Sequence, residues 1–201
     1  MAGSLAAYRA KRHFGRTAER HGTLKNGQAG RRFVVQRHAA RRLHFDLRLE
    51  IGGVYKSWAV TKVPSLDPAV RRLAVLVEDH PVAYGRFEGT IPKGEYGAGT
   101  VQLWDRGRWI SRSGNAPEAD LRKGRLSFVL RGERLTGGWA LIRLAHRRAA
   151  SHQNWLLVKE RDRAARRGRP DALARYVRSV KSGRTLLEIS RKKRSKARGH
   201  R

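Results

Sequence analysis

The sequence predicts an all-β fold, a sandwich or barrel of short strands followed by a basic tail. Three observations predict it. Strand-like runs of four to eight residues recur from Arg32 onward, glycine-containing turns separate them, and little of the region between has helical character. At 201 residues the chain has room for one domain and a tail.

Residues 1–31 are basic and contain glycine without an apolar period, so they are read as an arm. The domain is expected over residues 32–160. Phe33–Gln36 is a short β-prone run. Leu43–Glu50 reads Leu-His-Phe-Asp-Leu-Arg-Leu-Glu, alternating with period two, as a half-buried strand does. Gly52-Gly53 joins it to Val54–Val60, which makes a hairpin. Further runs follow at Leu73–Val77, Thr100–Trp104, Arg125–Leu130, Trp139–Leu144 and Trp155–Lys159. Pro117–Lys123 reads as a short helix with Pro in its first turn. The five tryptophans lie in or beside these runs and are expected in the core. The tail, residues 161–201, holds sixteen Lys and Arg against three Asp and Glu. Thr185–Glu188 has the form of a capping box, so a short helix is expected there. The basic block Arg191–Arg198 is read as disordered.

Composition narrows the function. Forty-six Lys and Arg against sixteen Asp and Glu give a net charge of +30, which points to a polyanionic partner, nucleic acid first. With no cysteine, disulfide scaffolds, thiolate zinc sites and thiol catalysis are excluded. The longest apolar run, Leu73–Val77, is far short of the ~18 residues of a membrane helix. Met1–Tyr8 lacks the pattern of a signal peptide. A cytoplasmic, nucleoid-associated protein with no membrane partner is therefore expected.

The segment richest in chemistry is His38–Glu50. On a strand His44, Asp46, Arg48 and Glu50 share one face, and Leu43, Phe45, Leu47 and Leu49 the other. His44 and Asp46 are metal-type ligands, and Arg48 is a fork for phosphate oxygens. A loop ahead of the strand would have to fold His38 back to join them. Two imidazoles and a carboxylate without thiolate suit Mn²⁺, Fe²⁺ or Zn²⁺, and open positions on such an ion serve hydrolysis. The competing reading is a solvated polar strand face. In Glu78–Tyr84, His80 is a candidate phosphate donor or general acid and Tyr84 a candidate phosphate contact, against an ordinary polar turn. Ile91–Thr100 carries three glycines without the order of a nucleotide-binding loop, and reads as a tight β-bend or barrel corner.

Together, Phe33–Glu50, Ser57–Val60, Glu78–Pro81, Ile91–Thr100 and Trp155–Lys159 resemble the 3′-phosphoesterase domain of bacterial DNA ligase D and its stand-alone relatives, over about Tyr8 to Asp162. The resemblance implies a small closed β-barrel with one or two surface helices. It also implies a Mn²⁺-dependent enzyme that trims a 3′-terminal ribonucleotide and then removes the 3′-phosphate, on DNA or DNA–RNA ends, during non-homologous end joining. By motif position it implies His38, His44 and Asp46 as metal ligands, and Arg48, His80 and Tyr84 as phosphate-handling and catalytic residues. Lys62, Arg72 and Glu78 fall at supporting or phosphate-binding positions. Separate ligase, polymerase and end-binding proteins are the implied partners. Two places depart from the family pattern: Thr61-Lys62-Val63 stands where Pro-Lys-Gly is usual, and Thr17-Ala-Glu19-Arg20 where Thr-x-Glu-Pro is usual.

Two functions are expected on these grounds. One is a metal-dependent phosphoesterase healing 3′ ends, by direct water attack or through a covalent histidine intermediate. The alternative is a non-catalytic DNA-end-binding module that relies on its basic tail, which would add salt-dependent affinity for nucleic acid in either case.

Overall fold

Alternating apolar residues give each strand one face to bury, and a closed barrel buries them all at once without leaving an edge. The structure, a computed structural model, describes residues 4–23, 31–145 and 153–196. Nine strands form the sheet: β1 (Arg32–Ala39), β2 (Leu43–Ile51), β3 (Val54–Val60), β4 (Arg71–Pro81), β5 (Gly89–Ile91), β6 (Gly99–Ser111), β7 (Arg125–Gly132), β8 (Thr136–Arg143) and β9 (Asn154–Lys159). Their order is β1-β2-β3-β4-β9-β8-β7-β6-β5, and pairing of β1 with β6 closes an eight-stranded antiparallel barrel that leaves only β5 outside. The sequence therefore named the class, and closure selects the barrel over the sandwich. Among the described residues no helix is long and apolar enough to cross a membrane.

The barrel interior is filled by Phe33, Val35, Phe45, Leu47, Leu49, Trp58, Trp104, Trp109, Phe128, Trp139 and Trp155, all buried. Gly52 and Gly53, at φ 59° and 77°, make the two-residue turn between β2 and β3. Helix α2 (Pro117–Lys123) starts on Pro117 and stops at Gly124, whose left-handed φ of 84° caps it. Gly99 runs so close to β1 that a Cβ there would lie 2.4 Å from the Ala39 carbonyl oxygen.

Two register shifts change which side chains share a face. Between β3 and β4, Tyr55 pairs with His80 and Ser57 with Val77, so two steps on β3 answer three on β4. Between β1 and β6, Val35 pairs with Asp105 and Gln36 with Leu103, which leaves Trp104 as the extra residue. Both are β-bulges, and a bulge turns the following side chains to the other face.

The structure corrects the two terminal assignments. Residues 4–23 of the arm are structured: α1 (Ala6–Ala10) packs Tyr8, fully buried, against Tyr84 and Val54 of the barrel. Residues 24–30 lie outside the described residues. The stretch from Arg161 is a strap on the barrel as much as a tail. Leu173 joins the main core. Trp104 Nε1 donates to the Tyr176 carbonyl, 2.7 Å. Gln102 donates to the carbonyls of Val177 and Arg184, and Val180 N–H to the Leu103 carbonyl. Thr185 and Glu188 form the expected reciprocal cap, and α3 (Leu186–Lys196) follows. Backbone helix thus covers most of the basic block read as disordered, and residues 197–201 lie outside the described residues. Apolar residues too sparse to show a period (Leu173, Tyr176, Val180) hold the strap, which is why composition alone hid it.

Leu173→Ala should cost about 2–4 kcal/mol of stability in urea unfolding, whereas Leu187→Ala, at a residue 59% exposed on α3, should stay within about 0.5 kcal/mol.

Candidate metal and phosphate site

Directly paired residues on neighbouring strands point to the same face. His38 pairs with His44, Gln36 with Asp46 and Arg48 with Ser57. Leu47, Leu49 and Trp58, the alternate residues, fill the interior. The polar residues therefore stand together on the outer wall. His38 reaches His44 from strand β1, across a hairpin, and not from the loop that the sequence suggested. The β4 bulge does the same for His80. Were these residues paired regularly, His80 would face inward with Leu76; because the bulge absorbs one residue at Glu78–Asp79, His80 lies beside Ser57 on the outer face.

That face is covered. The 3₁₀ helix Val82–Arg86 and the N-terminal segment lie over it, so Asp46, Arg48 and His80 are all buried. The half-buried strand expected at Leu43–Glu50 is in fact buried on both faces, except at its start.

The polar groups are tied to one another. Arg48 spreads its donors over three partners: Nε to Gln36 Oε1 at 2.7 Å, Nη1 to Ser57 Oγ at 2.9 Å and Nη2 to Asp46 Oδ2 at 3.2 Å. Two of its five N–H groups are left over after those three bonds. Gln36 in turn donates to the carbonyls of Tyr84 and Phe87, and so fastens the 3₁₀ helix to the barrel. The Arg48 guanidinium sits 5.0 Å from the centre of the Tyr84 ring.

Around Asp46 stand His38 Nδ1 and His44 Nε2, each 3.7 Å from a carboxylate oxygen. One donor atom from each of the three residues lies within 4.8 Å of the others. His44 Nδ1 is 3.0 Å from the Arg42 carbonyl, which can only accept. The proton therefore sits on Nδ1, and Nε2 presents a lone pair toward Asp46, the outer-sphere arrangement common for a ligating imidazole. Nε2 of His38 is buried without a hydrogen-bond partner among the described residues. One ring nitrogen from each imidazole and a carboxylate oxygen, all within 4.8 Å of one another, fit a divalent ion bound by N and O donors. Burial alone would raise the Asp46 carboxyl. The Arg48 guanidinium and the two imidazoles override this and hold it far below the ordinary carboxylate range, ionised as a ligand must be.

His80 belongs to the next layer. Its Nδ1 is 2.9 Å from the Glu78 carbonyl, and its Nε2 is 3.0 Å from Arg12 Nη2. Burial pushes its pKa well below 6.5, and the charges of Arg48 and Arg12 push the same way. The neutral ring thus has its proton on Nδ1 and a lone pair on Nε2. That makes Nε2 an acceptor, whereas the general-acid role suggested from sequence needs a donor. Tyr84 packs 5.0 Å from His80, ring centre to ring centre. Burial, with the Glu19 charge, raises its hydroxyl well above 10.0, so it stays protonated and able to donate.

Glu78 joins the site through Arg12 and Lys11, 3.1 Å from each. Lys62 and Arg72 do not join the buried cluster. Lys62 is exposed just beyond β3. Arg72 is engaged by the Val63 and Pro170 carbonyls and by Asp171, and so anchors the strap.

Sequence reasoning missed four contributors. Arg12 bonds Glu19, Glu78 and the Tyr8 carbonyl as well as His80. Glu19 is its buried counter-ion. Neither lies in a periodic segment; the only signal was the Thr17-Ala-Glu19-Arg20 stretch, which marks Glu19 and not Arg12. Gln36 and Ser57 carried one signal: each is a polar residue in an otherwise apolar strand run, and both are fully buried.

Comparison with known proteins came to the same region. A family model described as the DNA Ligase D 3′-phosphoesterase domain matches residues 36–143. The chain is 52% identical over 186 residues to the multifunctional non-homologous end joining protein LigD of Pseudomonas aeruginosa, covering 91% of this chain and 22% of that protein. It is 39% identical to LigD of Mycolicibacterium smegmatis, over 87% of this chain and 22% of the relative. To the multifunctional non-homologous end joining DNA repair protein LigD of Mycobacterium tuberculosis it is 43% identical, over 73% of this chain and 20% of the relative. The chain thus spans about a fifth of the length of these relatives.

The depressed pKa of His80 sets a pH dependence. Between its folded pKa and 6.5, the unfolded chain takes up a proton that the native ring refuses, so stability rises with pH there. Wild type should lose urea resistance as pH falls from about 7 to about 5, and His80→Gln should lose correspondingly less across that window.

Proposed function

The chain belongs to the DNA ligase D 3′-phosphoesterase family, and from that membership and its site we propose that it is a metal-dependent phosphoesterase healing 3′ ends of DNA or DNA–RNA strands for double-strand break repair by end joining. The single observation that carries this reading is the convergence of His38 from β1 with His44 and Asp46 from β2, beside Arg48 of the same strand, at one spot on the outer wall.

His38, His44 and Asp46 would hold the ion, for which Mn²⁺ is the assignment and other divalent ions are substitutes. When bound, it supplies Lewis-acid neutralisation of phosphoryl charge. The residues of the chain do the remainder. Gln36, Ser57 and Asp46 fix the Arg48 plane, so its two spare N–H groups face a phosphate oxygen without reorganising. Once Arg12 shifts its donor to a substrate oxygen, Nε2 of His80 either takes the proton of a water that attacks phosphorus, or attacks phosphorus itself and is later released by water; in both cases the P–O bond to the leaving oxygen breaks. Arg12 and Arg48 together give two guanidinium groups for a phosphate dianion. Tyr84 donates its hydroxyl proton as a hydrogen bond. Terminal ribonucleotides and 3′-phosphates are the substrates, and separate ligase, polymerase and end-binding proteins the partners.

A primer bearing a 3′-phosphate should release inorganic phosphate with Mn²⁺, and EDTA should stop it. Asp46→Ala and His44→Ala should each reduce the rate by at least about 100-fold. No release with any divalent ion would overturn the reading. Arg12→Ala should lower kcat on the same primer by about 10–100-fold. Unchanged kcat would remove Arg12 from the phosphate site.

A further inference from the structure

Away from the metal triad, three arginines stand in one cross-strand row. Arg32 on β1 pairs with Arg108 on β6, and Arg108 pairs with Arg131 on β7. Glu50 offsets Arg32 at 3.6 Å, yet the three side chains still concentrate positive charge along one end of the sheet, where a polyanion is favoured. The row lines a groove of about 840 Å³. A second cavity, of about 540 Å³, shares Arg32, Val82, Arg86 and Lys181 with it and reaches Tyr84 and Phe87 of the candidate site. The two form one continuous cationic path.

The path is built from three separate segments. The start of β1 supplies Arg32, the 3₁₀ helix Arg86, and the strap Lys181. The strap holds Lys181 in place: Nζ donates to the Arg86 carbonyl at 2.7 Å, and Val180 is bonded to Leu103. The acids along the path are already engaged, Glu133 by Arg106 at 2.8 Å and Glu88 by Ser179, Ser182 and Arg184. Arg86, Arg131 and Lys181 are exposed, and among the described residues none has a carboxylate within ion-pair distance. Arg32 lies six residues before His38 on the same strand, which is about 20 Å and spans several nucleotides. Phe87, partly buried and stacked on Tyr84 at 5.0 Å, offers an aromatic surface where the path meets the site.

We propose that this groove carries the phosphate backbone of the strand whose 3′ end occupies the site, with the Arg32–Arg108–Arg131 row meeting phosphates several nucleotides upstream. The proposal rests on the end-healing reading for its choice of strand, but its binding test does not.

Fluorescence anisotropy on the full chain, with a single-stranded 3′-phosphorylated dodecanucleotide, tests it. R86E/R131E should bind about tenfold more weakly than wild type at low salt and lose about two units of salt slope. R122E/R125E removes the same charge at the far end of β7, and its affinity should stay within about twofold. In turnover, R86E/R131E should raise KM for the dodecanucleotide far more than for a trinucleotide, which cannot reach the row. Equal weakening by both pairs, or wild-type binding by R86E/R131E, overturns the groove. If R86E/R131E does not melt like wild type, R86Q/R131Q carries the same comparison with a smaller expected loss. If no variant and no wild type releases phosphate, the end-healing reading falls, while the anisotropy comparison still decides the groove.

Discussion

A buried ion pair, Asp46 with Arg48, governs the architecture of this protein. Two charges removed from water cost several kcal/mol each unless every lone pair and proton finds a partner. The outer wall of β2 meets that demand with groups from three directions. Gln36 comes from β1, Ser57 from β3, and the two imidazoles flank the carboxylate. The cover over this wall is itself polar-tied, since Gln36 holds the 3₁₀ helix and Arg12 holds the N-terminal segment. A barrel normally leaves its outer face to solvent. Here a second layer converts that face into an interior, and the chemistry sits between the layers.

This layering explains what could be read from the residues and what could not. The strands were legible because alternation reports the inner face directly: Leu43–Glu50 and Val54–Val60 appear almost unaltered as β2 and β3. The short helix at Pro117–Lys123 was legible because Pro and Gly punctuate it. His44, Asp46 and Arg48 were legible because a period of two fixes their common face. The second layer was not. Arg12 and Glu19 belong to a segment without period; Glu19 holds Arg12, and Arg12 reaches His80 across a separation of 68 residues. The strap was equally silent, since its basic composition resembles that of a solvated tail.

The assignments at Lys62 and Arg72 show the limit of position-by-position transfer. Arg72 is a cation near a strand start, as a phosphate contact would be, yet its donors close on the Val63 and Pro170 carbonyls and on Asp171. Its job in the fold is to fasten the strap. The general-acid role read into His80 meets a similar limit: residue type announces proton chemistry, but burial beside two guanidinium groups decides which side of it is available.

The extra residue in β4 has one more meaning. The bulge absorbs one residue, so three steps from Val77 to His80 on β4 cover the distance of two on β3. Were β4 to pair regularly at its present length, His80 would fall opposite Val54 and turn toward the tryptophan-lined interior. The local distortion of the ladder, and not the identity of the residues within it, keeps the imidazole on the working wall.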